Sequence, residues 1–189
     1  WLYERSHEVR MRAGDIVRAA ASANAIGEVL IVLGRPGEAH DRFAEALRIW
    51  RGARSPRGVA EATHNLGVVA LRGGDADAAI AQLDEAADLA MRIGAEGLHQ
   101  RIQLPLADAL LARGRYVEAW EAAGRVLGAA DAVLVGRGHR LRGEALLCTG
   151  GTARARAELA RAVALAEASG DTEGRTAAQR LLDRLTDAA

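Results

Sequence analysis

Apolar and small residues recur along this chain at helical spacing, and one phrase of them occurs in four copies. Phe43, Ala46, Leu47 and Trp50 stand at i, i+3, i+4 and i+7, the spacing of one face of an amphipathic helix. Gly27, Leu30 and Leu33 mark a stripe on a preceding helix, and Gly34-Arg35-Pro36-Gly37 separates the two. The phrase returns as Leu66-Gly67, Ala70-Leu71, Gly73-Gly74-Asp75, Ala79, Leu83 and Ala86. It returns again as Leu106-Ala107, Gly114-Arg115-Tyr116, Ala119 and Ala123, and finally as Gly143, Leu146-Leu147, Gly150-Gly151, Ala155 and Leu159. The equivalent small residues Gly27, Gly67, Ala107 and Gly143 are spaced by 40, 40 and 36 residues. No period-2 alternation occurs, so no sheet is predicted.

Each copy predicts a helix, a tight turn and a second helix. The turns fall at Gly34–Gly37, Gly73–Asp75, Gly114–Arg115 and Gly150–Thr152, where glycine supplies the left-handed end of the first helix. Asp75 and Thr152 are placed to cap the second helix. The small residues let paired helices approach closely, so a leucine at Gly67 would overpack the crossing by roughly 1–3 kcal/mol. The expected architecture is all-α: a right-handed superhelix of antiparallel helix pairs, about 40 residues per repeat, in a single domain over 1–189. Its parts are a truncated helix over 1–13, repeats over 15–55, 56–94, 95–130 and 131–170, and a capping helix over 171–189. Thr172–Asp187 forms that cap, with Arg175, Arg180 and Arg184 as its polar side. Trp1–Arg12 has no cap at its start and places Tyr3 one repeat before Phe43, which reads as the remnant of an upstream repeat in a longer protein. Pro105 predicts a kink in, or a late start of, the first helix of the third repeat. The short 36-residue step predicts a tighter loop near Gly128–Asp131.

These residues resemble the tetratricopeptide repeat: Leu66-Gly67, Gly74, Ala79, Leu83 and Ala86, with Ala39 followed by Phe43 at the family's step. The family's aromatic near the start of the first helix and its closing proline are absent, and the period exceeds its usual length of about 34. The longer period resembles the extended-helix class of large bacterial signalling ATPases. The runs Asn24-Ala25-Ile26-Gly27-Glu28, Gly34 to Trp50, His64-Asn65-Leu66-Gly67 and Ile93-Gly94-Ala95-Glu96 look like two groups of proteins. One is the C-terminal repeat region of bacterial class III adenylate/guanylate cyclases that carry an ATPase module. The other is the LuxR- and AfsR-type transcription regulators. The resemblance implies a non-catalytic, cytoplasmic sensor or regulatory module, with any cyclase or ATPase chemistry elsewhere in the parent. A ligand-sensing arm of a transcription regulator is the alternative parent.

Composition narrows the chemistry. The 25 basic residues balance 25 acidic ones, so the chain lacks the basic excess that nucleic-acid binding normally needs. No uncharged apolar run is long enough to span a membrane. All 25 basic residues are arginine, which excludes a Walker-type or Schiff-base lysine, and 43 of the 189 residues are alanine. An arginine-only basic set with this alanine excess suits a high-GC genome. The five histidines, His7, His40, His64, His99 and His139, include no i, i+4 pair, so neither a metal site nor a cofactor is expected. Cys148, beside Leu146 and Leu147, reads as a core or half-buried thiol without a nucleophile's partner. Gly136-Arg137-Gly138 follows no strand and reads as an irregular helix start, not a phosphate loop. Acidic pairs such as Asp75/Asp77 and Asp84/Glu85 read as helix-start or solvated charges. No catalytic residue is assigned.

The surface remains. In such arrays the first helices line the concave face. Their inward polar stripe carries Asn24 and Glu28, then Glu61, His64 and Asn65, then Arg101 and Asp108, then Arg137, Arg140 and Glu144. These are the candidate groove residues for a protein or peptide, which an intramolecular segment could also supply. Asn65 could hold a peptide backbone with both groups of its amide. Arg101, Arg137 and Arg140 could form a basic end for acidic residues. The ordinary alternative for each is a solvated face. With no lysine and two asparagines, the clamp for a terminal carboxylate used by chaperone-binding repeats has no counterpart. Self-association is the rival reading, and exposure of Trp1, Trp50 or Trp120 would support it.

Overall fold

The computed structural model describes residues 2–187. Those residues are all-α, ten helices packed as sequential antiparallel pairs. The helices are α1 (Leu2–Arg12), α2 (Ile16–Val32), α3 (Pro36–Gly52), α4 (Pro56–Arg72), α5 (Ala76–Arg92), α6 (Glu96–Ala112), α7 (Tyr116–Gly124), α8 (Ala132–Cys148), α9 (Thr152–Ser169) and α10 (Thr172–Asp187). They form two compact units divided between Ile102 and Gln103, within α6.

In the first unit the helix pairs α2–α3 and α4–α5 pack through the glycine-lined crossings, and α2 also touches α4. A side-chain carbon at Gly27 would collide with the ring of Phe43, and one at Gly58 with the ring of Trp50. Phe43, Leu83 and Ala46 are fully buried as a result. Leu33 is not part of the predicted stripe. It caps α2 and is 61 % exposed, because the helix ends at Val32 and the chain turns away. Trp50 is buried. Tyr3 holds Phe43's register position and is 52 % exposed. Trp1 lies outside the described residues.

The second unit holds the rest of α6 with α7 to α10. Helix α6 runs unbroken through Pro105, so the late start does not occur. The short step between the third and fourth repeats is taken out of a helix, not a loop. Helix α7 has 9 residues where its counterparts α3 and α5 have 17, and irregular backbone fills 125–131. The loop is therefore longer than the other turns, opposite to the expectation of a tighter one. Gly136 and Gly138 lie inside a regular α8, buried, where a side-chain carbon at Gly138 would meet Val126 at 2.5 Å and the Ala123 carbonyl at 3.0 Å. They are close-packing residues, not an irregular start. Cys148, the last residue of α8, is exposed, which corrects the reading of a core or half-buried thiol. Thr152 is the first residue of α9, and Gly151 takes the cap position instead. Asp75, Asp15 and Asp131 do cap their helices through side-chain oxygens.

The turns share one device. A left-handed residue follows each of α1 to α6, α8 and α9, at Gly14, Gly34, Arg54, Gly74, Gly94, Gly114, Gly150 and Gly170. The backbone closes behind it by a paired bond, as in Arg35 N–H to the Leu30 carbonyl (2.9 Å) and Gly34 N–H to the Ile31 carbonyl (3.2 Å).

Candidate binding recess

Six of the ten groove candidates meet in the first unit. Asn24 and Glu28 from α2, Glu61, His64 and Asn65 from α4, and Arg101 from α6 line one polar recess of about 200 Å³, with Leu98 at its wall. Helical spacing explains the grouping, because residues four apart on α2 (24 and 28) and on α4 (61 and 65) share a face. The amides are ordered by each other. Asn65 Nδ2 donates to Asn24 Oδ1 at 3.0 Å and to Glu28 Oε1 at 3.5 Å, and Asn24 Nδ2 donates to the same Glu28 oxygen at 2.9 Å. Asn65 therefore uses its amide nitrogen to tie α4 to α2, and its carbonyl oxygen has no hydrogen-bond partner among the described residues. Glu61 is steadied by the exposed Arg57, whose Nε donates to Oε1 at 3.2 Å.

His64 is the anomalous group. Burial pushes its imidazole down to about 4, and the charge of Arg101 pushes the same way. It is neutral at physiological pH, and its buried Nδ1 has no hydrogen-bond partner among the described residues.

The other four candidates lie in the second unit, three of them in one ion group around Arg140, and Arg137 in a separate pair. Arg140 reaches Asp108 Oδ1 at 3.6 Å and Glu144 Oε2 at 3.0 Å. Desolvation raises the Asp108 carboxyl, and Arg140 pulls it back down. Arg137 Nε donates to Asp171 Oδ2 at 3.2 Å, while Oδ1 of that aspartate accepts from Gly174 N–H at 2.9 Å at the start of α10. Backbone bonding first and Arg137 second hold the Asp171 carboxyl below its ordinary range. Arg137 and Arg140 are thus engaged by carboxylates of their own unit. The basic end expected from Arg101, Arg137 and Arg140 together reduces to Arg101, which makes no ion pair among the described residues.

A second polar group in this unit was not singled out from the sequence. Glu158 accepts from His139 Nδ1 at 2.6 Å and lies 3.4 Å from Arg142, whose guanidinium carbon sits 4.2 Å from the centroid of the Trp120 ring. Trp120 is half-buried by this stacking. Glu158 stands beside the core residue Leu159, and nothing in the spacing of charges announced that its partners would come from α8. Among the described residues no group of His, Cys, Asp and Glu is arranged to hold a metal ion. None of the described helices is long and apolar enough to cross a membrane.

The tetratricopeptide-repeat family profile matches residues 17–92. No curated protein matches the chain. Among solved structures, the chain is similar to the nearly identical TPR-like repeats of a Podosopora anserina protein assigned as a kinesin light chain. That match has a TM-score of 0.72 at 19 % identity over 92 % of this chain and 87 % of that one. It is also similar to MamA from Desulfovibrio magneticus RS-1, with a TM-score of 0.62 at 19 % identity over 89 % and 93 % of the two chains. A third likeness is to BtubC from P. vanneervenii, with a TM-score of 0.66 at 19 % identity over 98 % and 89 %. At this identity the likeness is one of fold.

Proposed function

We propose that this chain is a non-catalytic interaction module whose first unit binds a protein or peptide segment in the recess between α2, α4 and α6. The observation that carries the reading is the convergence of Asn24, Glu28, Glu61, His64, Asn65 and Arg101 on one void of about 200 Å³. Polar side chains held by each other around an open space set the register of an extended segment better than a closed ion cluster does. The match of residues 17–92 to a repeat family that generally binds proteins or peptides supports the same reading. Adding a mixed-sequence peptide pool to the isotope-labelled chain should shift the amide resonances of these six residues and of Leu98. Shifts confined to other surfaces, or none, would overturn it.

At the finer level, the module is proposed as the sensor region of a cytoplasmic bacterial signalling protein. The support is the wording of the repeats around Asn24–Glu28 and His64–Gly67, similar to cyclase–ATPase and LuxR/AfsR-type proteins. Sequencing the gene on both sides tests this: a cyclase, ATPase or helix-turn-helix coding region supports it, and an unrelated one removes it.

A specific observation favours self-association as a second reading. Leu2, Val9, Met11, Ile16 and Val17 are each between 41 % and 75 % exposed at the α1 end of the first unit. Apolar residues gathered at one end mark a contact surface. Light scattering over a concentration series separates the readings, since a concentration-independent monomer argues against this one.

A further inference from the structure

Charges of both signs stand around the recess without meeting. Glu28 uses one carboxylate oxygen for the two asparagine amides, and its other oxygen has no partner among the described residues. Glu61 uses one oxygen for Arg57 and leaves the other open. Arg101 lines the same void, is exposed, and pairs with neither carboxylate. The order of helices places the acids on α2 and α4 and the guanidinium on α6. The imidazole of His64, which lines the same recess, is neutral and does not blur this polarity.

Resting on the peptide-binding reading, we propose that the recess is charge-ordered: it seats a partner segment carrying one basic and one acidic side chain. The basic group faces Glu28 and Glu61, and the acidic group faces Arg101. Open acceptors dominate the α2–α4 wall (two carboxylate oxygens and the Asn65 carbonyl), and they suit a guanidinium or ammonium donor. Arg101 offers the opposite chemistry, a planar donor fork for a carboxylate. A segment with two like charges satisfies one wall and is repelled by the other. Solvent-accessible charges of this kind discriminate between partners more than they add affinity. The expected preference is therefore about tenfold, not all-or-none.

The test titrates the whole chain with three short blocked peptides of glycine and alanine. One carries an arginine and a glutamate, one two arginines, and one two glutamates. The mixed peptide should bind about tenfold more tightly than either of the others. Arg101→Glu should move the preference to the two-arginine peptide, and Glu28→Lys with Glu61→Lys should move it to the two-glutamate peptide. Circular dichroism on each variant confirms that the helices persist. If all three peptides bind equally and still shift the recess amides, charge ordering falls while the peptide-binding reading stands. If Arg101→Glu leaves the ranking unchanged, charge ordering falls as well. If no peptide perturbs the recess, both fall.

Discussion

The side-chain carbon that Gly67 lacks would stand 2.7 Å from Cγ of Leu83 and 3.4 Å from the Ala79 carbonyl oxygen. The same relation joins Gly143 to Leu159, at 2.6 Å, and Gly27 to Phe43. In the third repeat the equivalent positions are Ala107 and Ala123, both fully buried. Where one side of the crossing grows by a methyl, the other shrinks to alanine. Close packing makes this exchange obligatory, because interiors leave no space for an added carbon.

Gly67→Ala should therefore destabilise the chain despite alanine's better helix propensity, which is worth about 1 kcal/mol. Overpacking costs about 1–3 kcal/mol. Leu83→Ala alone should cost about 2–5 kcal/mol. The double variant reproduces the Ala107/Ala123 pair, so it should be more stable than the sum of the two costs by about 1 kcal/mol or more. Urea unfolding of the four proteins closes the cycle, and simple additivity would contradict the proposed crossing.

Arg54 is the one described non-glycine residue with positive φ, at 52°, and it holds the place taken by Gly34 and Gly74 one turn to either side. A left-handed non-glycine residue costs roughly 1–2 kcal/mol. Glycine returns part of that through its greater freedom in the unfolded chain, about 0.5–1 kcal/mol. Arg54→Gly should raise stability by about 0.5–1 kcal/mol, read as a higher urea midpoint. A lowered midpoint would mean that the exposed arginine makes a contact worth more than the strain.

Much of this was legible in the residues themselves. The glycine-to-large pairing at each crossing appears as a fixed offset, because both helices have the same length and turn. The turn ladder from Gly14 to Gly114 is partly visible in the same way, but its members between the pairs include Arg54, where no glycine marks the left-handed position. The shortening at 116–131 was ambiguous, since a missing turn of helix and a tightened loop leave the same spacing in sequence. The recess residues were legible as a polar stripe on α2, α4 and α6. Their partners were not: whether an arginine ends free, like Arg101, or held, like Arg140, depends on which carboxylate the neighbouring helix brings within reach. Periodicity specifies faces, not the rotation that aligns two faces.

The neutral His64 makes stability depend on pH in a defined window. Its folded value of about 4 lies below the 6.5 of the unfolded chain. The unfolded chain therefore binds a proton first as pH falls, and stability is lost progressively from pH 6.5 down to about 4. Below that the folded protein is protonated too and the loss levels off. Glu28, Glu61 and Arg101 face the same recess, so the comparison is made against His64→Gln, which keeps them. The difference in unfolding free energy between the two proteins should shift by a few kcal/mol across this window. A constant difference would show that His64 titrates alike in both states.

Glu158 and Arg142 test whether burial or distance governs an ion pair here. The pair is long, at 3.4 Å, but its side chains are only 11 % and 15 % exposed. Arg35 and Glu38 lie much closer, at 2.6 Å, yet are 53 % and 59 % exposed. Water and lost side-chain freedom cancel most of an exposed pair's attraction, so Glu38→Ala should leave the urea midpoint near that of the unmodified chain. Glu158→Leu leaves Arg142 inside the protein without its carboxylate, and His139 loses the same acceptor. Breaking a buried pair from one side costs about 3–5 kcal/mol, chiefly through the stranded charge. Adding Arg142→Met removes that charge and should recover most of the loss. The recovery is incomplete because the stacking of Arg142 on Trp120 goes with it, about 0.5–2 kcal/mol. A Glu158→Leu protein as stable as the Glu38→Ala protein would mean that solvent reaches Arg142 and that the cluster contributes no more than the surface pair.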